Sequence, residues 1–222
     1  MGRELIKRIV IIGAGGHGRE VADILKGQDQ TKVIGFIDDD RKLHGSDFDG
    51  LRVLGNWSWI DGQQKSDIAV VCAVGLPQLR RRLAKRAESL GLSFANAISP
   101  LAYISPSARI EEGVTVFPHC AINAGAVIES HSILNVAATV SHDTKIGRYT
   151  TVNPGAHIGG NVVIGEGCYI GIGANVIHGQ SVGEWSVIGA GAVITTDLPA
   201  NVTAVGVPAK IIKRREEGWY DR

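Results

Sequence analysis

A six-residue period runs through the second half of this chain. Every sixth residue from Ile104 to Ile194 is Ile, Val or Leu, and these sixteen positions are called the repeat residues below. The residue two places before a repeat residue is usually small, and the residue after it is often Gly or Asn. A period of six matches neither an α-helix nor the two-residue alternation of a strand. It predicts a parallel β-helix with the repeat residues pointing into a narrow core.

The composition fits a fold with many tight corners. Glycine supplies 29 of the 222 residues, and aromatic residues supply only 5%. Gly and Asn tolerate a positive φ angle, so we expect those that directly follow the repeat residues to form left-handed corners. Cys120 and Cys168 lie at the small-residue position of the repeat, which favours packing over a chemical role.

The composition also excludes several other classes of protein. The formal net charge is +1, so no overall charge attracts nucleic acid. No apolar run approaches the ~20 residues of a membrane-spanning helix, and we expect no signal peptide. The three cysteines form no CxxC pair, which favours a reducing compartment. We therefore expect a cytoplasmic protein.

The first hundred residues have a different pattern. A buried-strand run over 8–12 leads into a glycine-rich loop, a helical segment and a second strand over 32–37. Strands that alternate with helices predict a small parallel α/β domain that ends near residue 100. The remaining predicted elements are strands over 51–54, 67–74 and 94–98 and a basic helix over 78–90.

The glycine-rich loop reads Gly13-x-Gly15-x-x-Gly18, and Asp38 follows 20 residues after its last glycine. Glycines let the backbone approach a pyrophosphate, and the helix N-terminus that follows favours an anion. A domain of about 100 residues is too short for a full dinucleotide-binding fold. NAD, another nucleoside diphosphate and a ligand-free turn therefore remain open, and we favour the second.

The two halves together resemble the sugar O-acyltransferase, or sialic-acid O-acetyltransferase-like, family of hexapeptide-repeat transferases. This resemblance implies a Rossmann-like nucleotide-sugar-binding domain over 1–100 and a left-handed parallel β-helix acetyltransferase domain over 101–198, followed by a C-terminal tail over 199–222. The motifs that carry it are the glycine loop, Asp38-Asp39 and the segments 135–147, 154–156, 188–192 and 206–210.

The resemblance also implies an activity. The best-understood members are acetyl-CoA-dependent N-acetyltransferases of nucleotide-linked 4-amino sugars. We therefore expect transfer of an acetyl group to a UDP-, GDP- or dTDP-linked 4-amino-4,6-dideoxy sugar, for a surface polysaccharide such as O-antigen. The expected assembly is a homotrimer with acetyl-CoA between subunits and no metal. The alternative is O-acetylation of a sialic-acid-type sugar.

The resemblance assigns roles to individual residues. His142 matches the catalytic base, and Asp143 matches the acidic neighbour that supports it. Some members carry a CoA-contacting histidine nine residues after the base, where this chain has Thr151. The residues expected to bind the nucleotide sugar are Gly13, Gly15, Gly16, His17, Asp38, Asp39 and Asn135. Those expected to bind acetyl-CoA are Thr151, Gly160, Ile172, Ala190 and Lys210.

The repeat allows an independent check on this site. A coil of three hexads places Gly160 directly beyond His142, about 4.8 Å along the axis. The Gly160 amide is therefore a candidate donor to the thioester oxygen, although the glycine could simply serve a corner. Ile172 and Ala190 fall at another corner of the triangle. We expect one acetyl-CoA to reach both corners only if they come from neighbouring subunits.

Two other functions are less consistent with the sequence. Metal-dependent hydratases with this type of prism need a close pair of histidines, and the gaps between the histidines from His119 to His178 are 12, 11, 15 and 21. A non-catalytic nucleotide-binding or scaffold protein would leave the His142-Asp143 pair unexplained. The tail over 210–215 is basic, so it either contacts CoA phosphates through Lys210 or is simply solvated.

Overall fold

The computed structural model describes residues 7–28 and 31–221. The first part of the chain forms a sheet in the order β3-β4-β2-β1-β5-β6, parallel except for the β3–β4 pair. Its strands are β1 (Lys7–Ile12), β2 (Thr31–Ile37), β3 (Asp47–Phe48), β4 (Leu51–Gly55), β5 (Ile68–Cys72) and β6 (Ser93–Phe94). Its helices are α1 (Gly16–Lys26), α2 (Ser58–Asp61) and α3 (Pro77–Ser89), with 3₁₀ turns at Arg41–Leu43 and Lys65–Asp67.

The sheet has a topological switch point at β1. The apolar run of this strand is buried on both faces, as expected for a central parallel strand. The strand β2 pairs on one side of β1, and β5 pairs on the other. In open α/β sheets, ligands bind in the crevice at the carboxyl ends of strands where the order reverses. Here that crevice lies between the loop 13–17 and the loop 73–76.

The rest of the chain forms a three-faced prism, in which all strands except the last two have two residues each. The first face holds β7 (Ala97–Ile98), β10 (Thr115–Val116), β13 (Ile133–Leu134), β16 (Thr151–Val152), β19 (Tyr169–Ile170), β22 (Val187–Ile188), β24 (Val202–Val205) and β25 (Lys210–Arg214). The second face holds β8 (Tyr103–Ile104), β11 (Ala121–Ile122), β14 (Thr139–Val140), β17 (His157–Ile158), β20 (Asn175–Val176) and β23 (Val193–Ile194). The third face holds β9 (Arg109–Ile110), β12 (Val127–Ile128), β15 (Lys145–Ile146), β18 (Val163–Ile164) and β21 (Ser181–Val182).

The repeat residues form the prism core, as the period predicts. Val140 pairs with Ile158 one coil later, and Ile158 pairs with Val176. All repeat residues from Val116 onward are buried, and the first two are partly buried because they lie at the open end. Cys120 and Cys168 are also buried and unpaired, which confirms their packing role.

The expected reason for glycine after the repeat residues is wrong. The left-handed backbone occurs three residues after a repeat residue, as at His131, Asp143 and Tyr149, and not at the next position. A Cβ at Gly147 would instead lie 2.5 Å from the backbone of Gly165 on the next coil. Glycine is required there because successive coils approach closely, and not because φ is positive.

The structure departs from the predicted elements at both ends of the prism. The predicted strand over 94–98 is two strands, since β6 pairs with β5 whereas β7 pairs with β10. The last coil has two residues fewer than the others, because Val187 pairs with Thr203, 16 residues later, instead of 18. The tail then turns back as β25, and its final 3₁₀ turn (Trp219–Asp221) stacks Tyr220 on Trp185. The division at residue 100 into separate domains stays a prediction.

Candidate active site

His142 and Asp143 form a hydrogen-bonded pair on a corner of the prism. They follow β14 where the second face turns into the third, and Asp143 takes the left-handed conformation with φ 56°. His142 Nδ1 lies 2.9 Å from Asp143 Oδ2, and both side chains are more than half exposed. When Nδ1 carries the hydrogen, it donates to the carboxylate and Nε2 keeps a free lone pair. The pair therefore presents a proton acceptor to solvent.

The ring of His142 lies over Gly160 on the next coil. A Cβ at position 160 would be 2.5 Å from Nε2 and 2.8 Å from Cε1 of His142. One coil further, the ring of His178 lies with its centroid 6.2 Å from that of His142. The predicted column of these three residues is confirmed, and glycine is needed in its middle to admit the imidazole.

The Gly160 amide differs from its neighbour in its hydrogen bonding. The amide of the following residue, Asn161, donates to the carbonyl of His142, and this pattern repeats along the corner. Among residues 7–28 and 31–221, the buried Gly160 amide has no hydrogen-bond acceptor. Such an amide is free to donate to an oxygen atom of a ligand.

The predicted residues Asn135, Ile172 and Ala190 lie, together with Val136, at a different corner, between the first and second faces. Val136 and Ile172 are 38% and 59% exposed there, and Ala190 is also exposed. The side-chain oxygen of Asn135 accepts a hydrogen bond of 2.7 Å from the Val136 amide. This corner is an apolar ridge, separated from His142 by the second face.

The glycine loop forms one wall of the switch-point crevice. A cavity of about 150 Å³ there is lined by Gly13, Asp38, Asp39, Trp57 and Val74, among others. The carboxylate of Asp38 accepts a hydrogen bond of 2.8 Å from the Ala14 amide, so it holds the loop in place. Gly15 has open space where a Cβ would be, and Gly16 has only the tip of the Arg19 side chain, at 4.0 Å.

His17 lies between the two parts of the chain. Its ring stacks on Phe117 of the prism, with centroids 5.3 Å apart, beside the corner that carries the apolar ridge. Its Nε2 is buried without a hydrogen-bond partner among the described residues. Burial, and then the charge of Arg80, lowers the pKa of His17 to about 4, so the ring is neutral at pH 7. A cavity of about 400 Å³ opens between Phe117, Val136 and the acidic residues Glu20 and Asp23 of α1.

Thr151, one of the residues expected to contact acetyl-CoA, lies elsewhere. The Thr151 hydroxyl donates to the Gly75 carbonyl and accepts from Arg80, both at 2.8 Å. Because Thr151 is 2% exposed, this geometry gives no support to a contact with acetyl-CoA. Lys210 is exposed on β25.

Sequence reasoning missed Arg80, which is fully buried in the contact between the two parts of the chain. A signal was present, since Arg80 shares the i, i+4, i+7 stripe of α3 with Ala84 and Ala87. Among the residues that the structure describes, no cluster of His, Cys, Asp and Glu could hold a metal ion. The described helices are also too short or too polar to span a bilayer.

Comparison with known families agrees with this arrangement. Residues 8–87 match the PglD N-terminal domain, and residues 143–171 and 161–196 match the bacterial transferase hexapeptide (six repeats). A curated relative, UDP-N-acetylbacillosamine N-acetyltransferase of Bacillus subtilis, is 34% identical over 123 residues. That match covers 50% of this chain and 51% of the relative, so the chain spans about half the length of the Bacillus subtilis relative.

Solved structures match over nearly the whole chain. The acetyltransferase domain of PglB from Neisseria gonorrhoeae, solved with acetyl coenzyme A, is 35% identical with a TM-score of 0.86, covering 93% of this chain and 99% of its own. PerB from Caulobacter crescentus, solved with CoA and GDP-perosamine, is 36% identical with a TM-score of 0.87, covering 94% and 98%. The chain therefore belongs to the family of hexapeptide-repeat acetyltransferases that carry a PglD-type N-terminal domain.

Proposed function

We propose that this chain transfers the acetyl group of acetyl-CoA to the amino group of a nucleotide-linked 4-amino-4,6-dideoxy sugar. The observation that carries the proposal is the His142–Asp143 pair, with the Gly160 amide free beside it. The switch-point crevice supports a nucleotide as the part of the acceptor that the protein binds. The relatives solved with acetyl coenzyme A and with GDP-perosamine support both substrates.

The proposed reaction is direct transfer. The sugar amine attacks the thioester carbonyl, the carbon–sulfur bond breaks and CoA leaves as a thiolate, which becomes the thiol by taking from His142 the proton that the amine lost. Nε2 of His142 accepts the proton that the amine loses, which it can do near neutral pH. Asp143 accepts a hydrogen bond from Nδ1, fixes this tautomer and stabilises the imidazolium that forms.

The oxyanion that develops on the thioester oxygen also needs a donor. We assign that role to the Gly160 amide, because it lies beneath His142 and has no acceptor of its own. A fixed backbone donor of this kind stabilises the transition state without reorganisation. Three cysteines are buried, and burial raises the pKa of Cys72 and Cys168 to about 12 and that of Cys120 to about 11. A covalent thiol intermediate is therefore not part of the proposal.

The site is proposed to form between subunits of a homotrimer in the cytoplasm. His17 and the ridge of Val136, Ile172 and Ala190 lie along one corner of the prism, whereas His142 lies on the next. A neighbouring subunit that places its His142 corner against this ridge would complete one groove for acetyl-CoA. The symmetric arrangement repeats the same interface around a threefold axis.

The test follows thiol release from acetyl-CoA in the presence of UDP-, GDP- and dTDP-linked 4-amino-4,6-dideoxy sugars. Each sugar is paired with its 4-hydroxy counterpart, which lacks the amine. We expect release with one amino sugar and none with its hydroxy counterpart. Release with hydroxyl acceptors alone would refute amine acetylation and favour O-acetylation of a sialic-acid-type sugar.

A further inference from the structure

Arg80 is a buried cation without an anionic partner. The side chain is 0% exposed, and no carboxylate pairs with it among the described residues. All of its hydrogen bonds are 2.6–3.1 Å long and go to neutral oxygen atoms. The acceptors are the carbonyls of Val74, Gly75, His131 and Tyr149 and the hydroxyl of Thr151.

One side of the guanidinium caps two coils of the prism. His131 and Tyr149 are left-handed corner residues one coil apart, and their amides bond along the prism. Their carbonyls instead accept from Arg80, Nε to His131 at 2.7 Å and Nη2 to Tyr149 at 2.6 Å. A planar fork spans two acceptors at this spacing, whereas a lysine ammonium is a single point charge.

The other side of the guanidinium holds the wall of the switch-point crevice. Nη1 donates to the carbonyls of Val74 and Gly75, which lie in the loop 73–76 after β5. Val74 lines the crevice beside Gly13, and its Cγ2 would lie 3.1 Å from a Cβ at that glycine. Arg80 therefore fixes the crevice wall relative to the prism.

The charge of Arg80 acts on His17, at the end of the glycine loop. A buried charge without a counter-ion is costly, and a bound anion nearby would offset that cost. Burial lowers the pKa of Arg80 to about 9, so the group is still charged at pH 7. After burial, the same charge is the second cause that lowers the pKa of His17, in the first turn of α1. The crevice between the two loops is also lined by Asp38 and Asp39, and the charge of Arg80 offsets part of their negative potential.

We propose that Arg80 is a positioning residue for the nucleotide-linked substrate, which holds the loop 73–76 against the prism and favours the diphosphate through its uncompensated charge. This inference rests on the proposed function, since it assumes a nucleoside diphosphate in the crevice. It assigns Arg80 no contact with the reacting atoms.

The test compares Arg80→Gln and Arg80→Lys with Arg82→Gln, which removes an exposed arginine from the same helix. Titration measures the Kd of UDP, GDP and dTDP, of their nucleosides and of acetyl-CoA. We expect Arg80→Gln to raise the Kd of the tightest-binding nucleoside diphosphate at least tenfold, and the Kd of the corresponding nucleoside less than threefold. Arg80→Lys should recover part of this loss, and acetyl-CoA binding and Arg82→Gln should match the wild type. Equal weakening of nucleoside and nucleoside diphosphate, or none, would overturn the proposal.

Hydrogen exchange in the wild-type chain provides a second test if Arg80→Gln does not fold. The nucleoside diphosphate should slow exchange of the amides in 73–80 more than the nucleoside does, and protection confined to 13–17 would overturn the proposal. A wild-type chain that binds no nucleoside diphosphate would refute the proposed acceptor as well. A wild type and an Arg80→Gln variant that bind it equally would refute only the role of Arg80.

Discussion

Gly160 and His142 are matched across two coils, because a Cβ at position 160 would lie 2.5 Å from Nε2 of His142. Real Cβ atoms do not approach other atoms this closely, so the imidazole must move if position 160 gains a side chain. The Gly160→Ala substitution therefore displaces the proposed base and crowds the proposed oxyanion donor together. Neither effect requires any change in the prism core.

We expect Gly160→Ala to lower kcat by about 10²-fold or more, in the range of a lost oxyanion donor. The KM for the nucleotide sugar should change little, because the nucleotide is proposed to bind in the crevice and not at position 160. Steady-state kinetics checks this, with Gly62→Ala as the control, since Gly62 is exposed and a Cβ there meets only ordinary contacts. Wild-type kcat in Gly160→Ala would contradict the role assigned to this column.

Removal of the base should have a larger effect. We expect His142→Ala to reduce kcat by about 10²- to 10⁴-fold, the usual contribution of a general base. Asp143→Asn should cost less, because Asn tolerates the positive φ at this corner but accepts a weaker hydrogen bond. Both melting temperatures should stay within a few degrees of the wild type, since both side chains are more than half exposed. Full activity in His142→Ala would refute the mechanism.

Two glycines of the loop should respond differently to the same substitution. A Cβ at Gly18 would overlap the carbonyl oxygen of Gly13, whereas a Cβ at Gly15 meets open space. We expect Gly18→Ala to destabilise the first part of the chain, and Gly15→Ala to fold normally but bind a nucleoside diphosphate more weakly. Thermal melting and titration separate the two effects. Normal nucleotide binding by Gly15→Ala would show that the ligand does not approach this loop.

The buried His131 should make the protein less stable in mild acid. Burial, followed by the charges of Arg148 and Arg80, lowers its pKa to about 4, despite Glu88 at 3.7 Å. An unfolded histidine titrates near 6.5. The unfolded chain therefore binds a proton that the folded chain excludes, and stability falls by about 1.4 kcal/mol per unit as pH drops from 6.5 towards 4.

His131→Asn tests this origin of the acid sensitivity. Asn tolerates the φ of 60° at this corner, although it loses the stacking on Tyr149. We expect lower stability at pH 7 but a flatter dependence between pH 6.5 and 4, with His17 responsible for part of the remaining slope. Urea unfolding at several pH values measures the slopes, and the exposed His157→Asn is the control. Parallel slopes for His131→Asn and the wild type would contradict the assignment.

An intersubunit site predicts complementation between two inactive variants. One is His142→Ala, and the other is Gly15→Glu, which places a carboxylate where the diphosphate is expected. Random mixing in a cyclic trimer leaves about a quarter of the interfaces with both wild-type residues. Coexpression should therefore restore activity to about a quarter of the wild-type level. Mixed assemblies that stay inactive would place the complete site within one chain.

The sequence predicted the prism core because its repeat is strict, and every repeat residue from Val116 onward is buried. It misassigned the glycines after the repeat residues, since a spacing pattern does not separate a positive φ from a close approach of coils. The shortened last coil was also missed, because its 16-residue step follows the last repeat residue.

The site was predictable to a similar extent. The His142-Asp143 corner and the Gly160 column follow from motif and coil length. The contact between Arg80 and the prism depends on two carbonyls more than 50 residues away in sequence, and no local pattern encodes it. The hydrogen bond between Arg80 and Thr151 could not be predicted from the sequence for the same reason.

Mass spectrometry of the product tests the central claim most directly. The wild-type chain is incubated with acetyl-CoA and the nucleotide-linked amino sugar that gives thiol release, with His142→Ala in parallel. We predict a nucleotide sugar that has gained one acetyl group, stable to mild alkali as an amide and absent with His142→Ala. An alkali-labile acetyl ester, or equal product from His142→Ala, would contradict it.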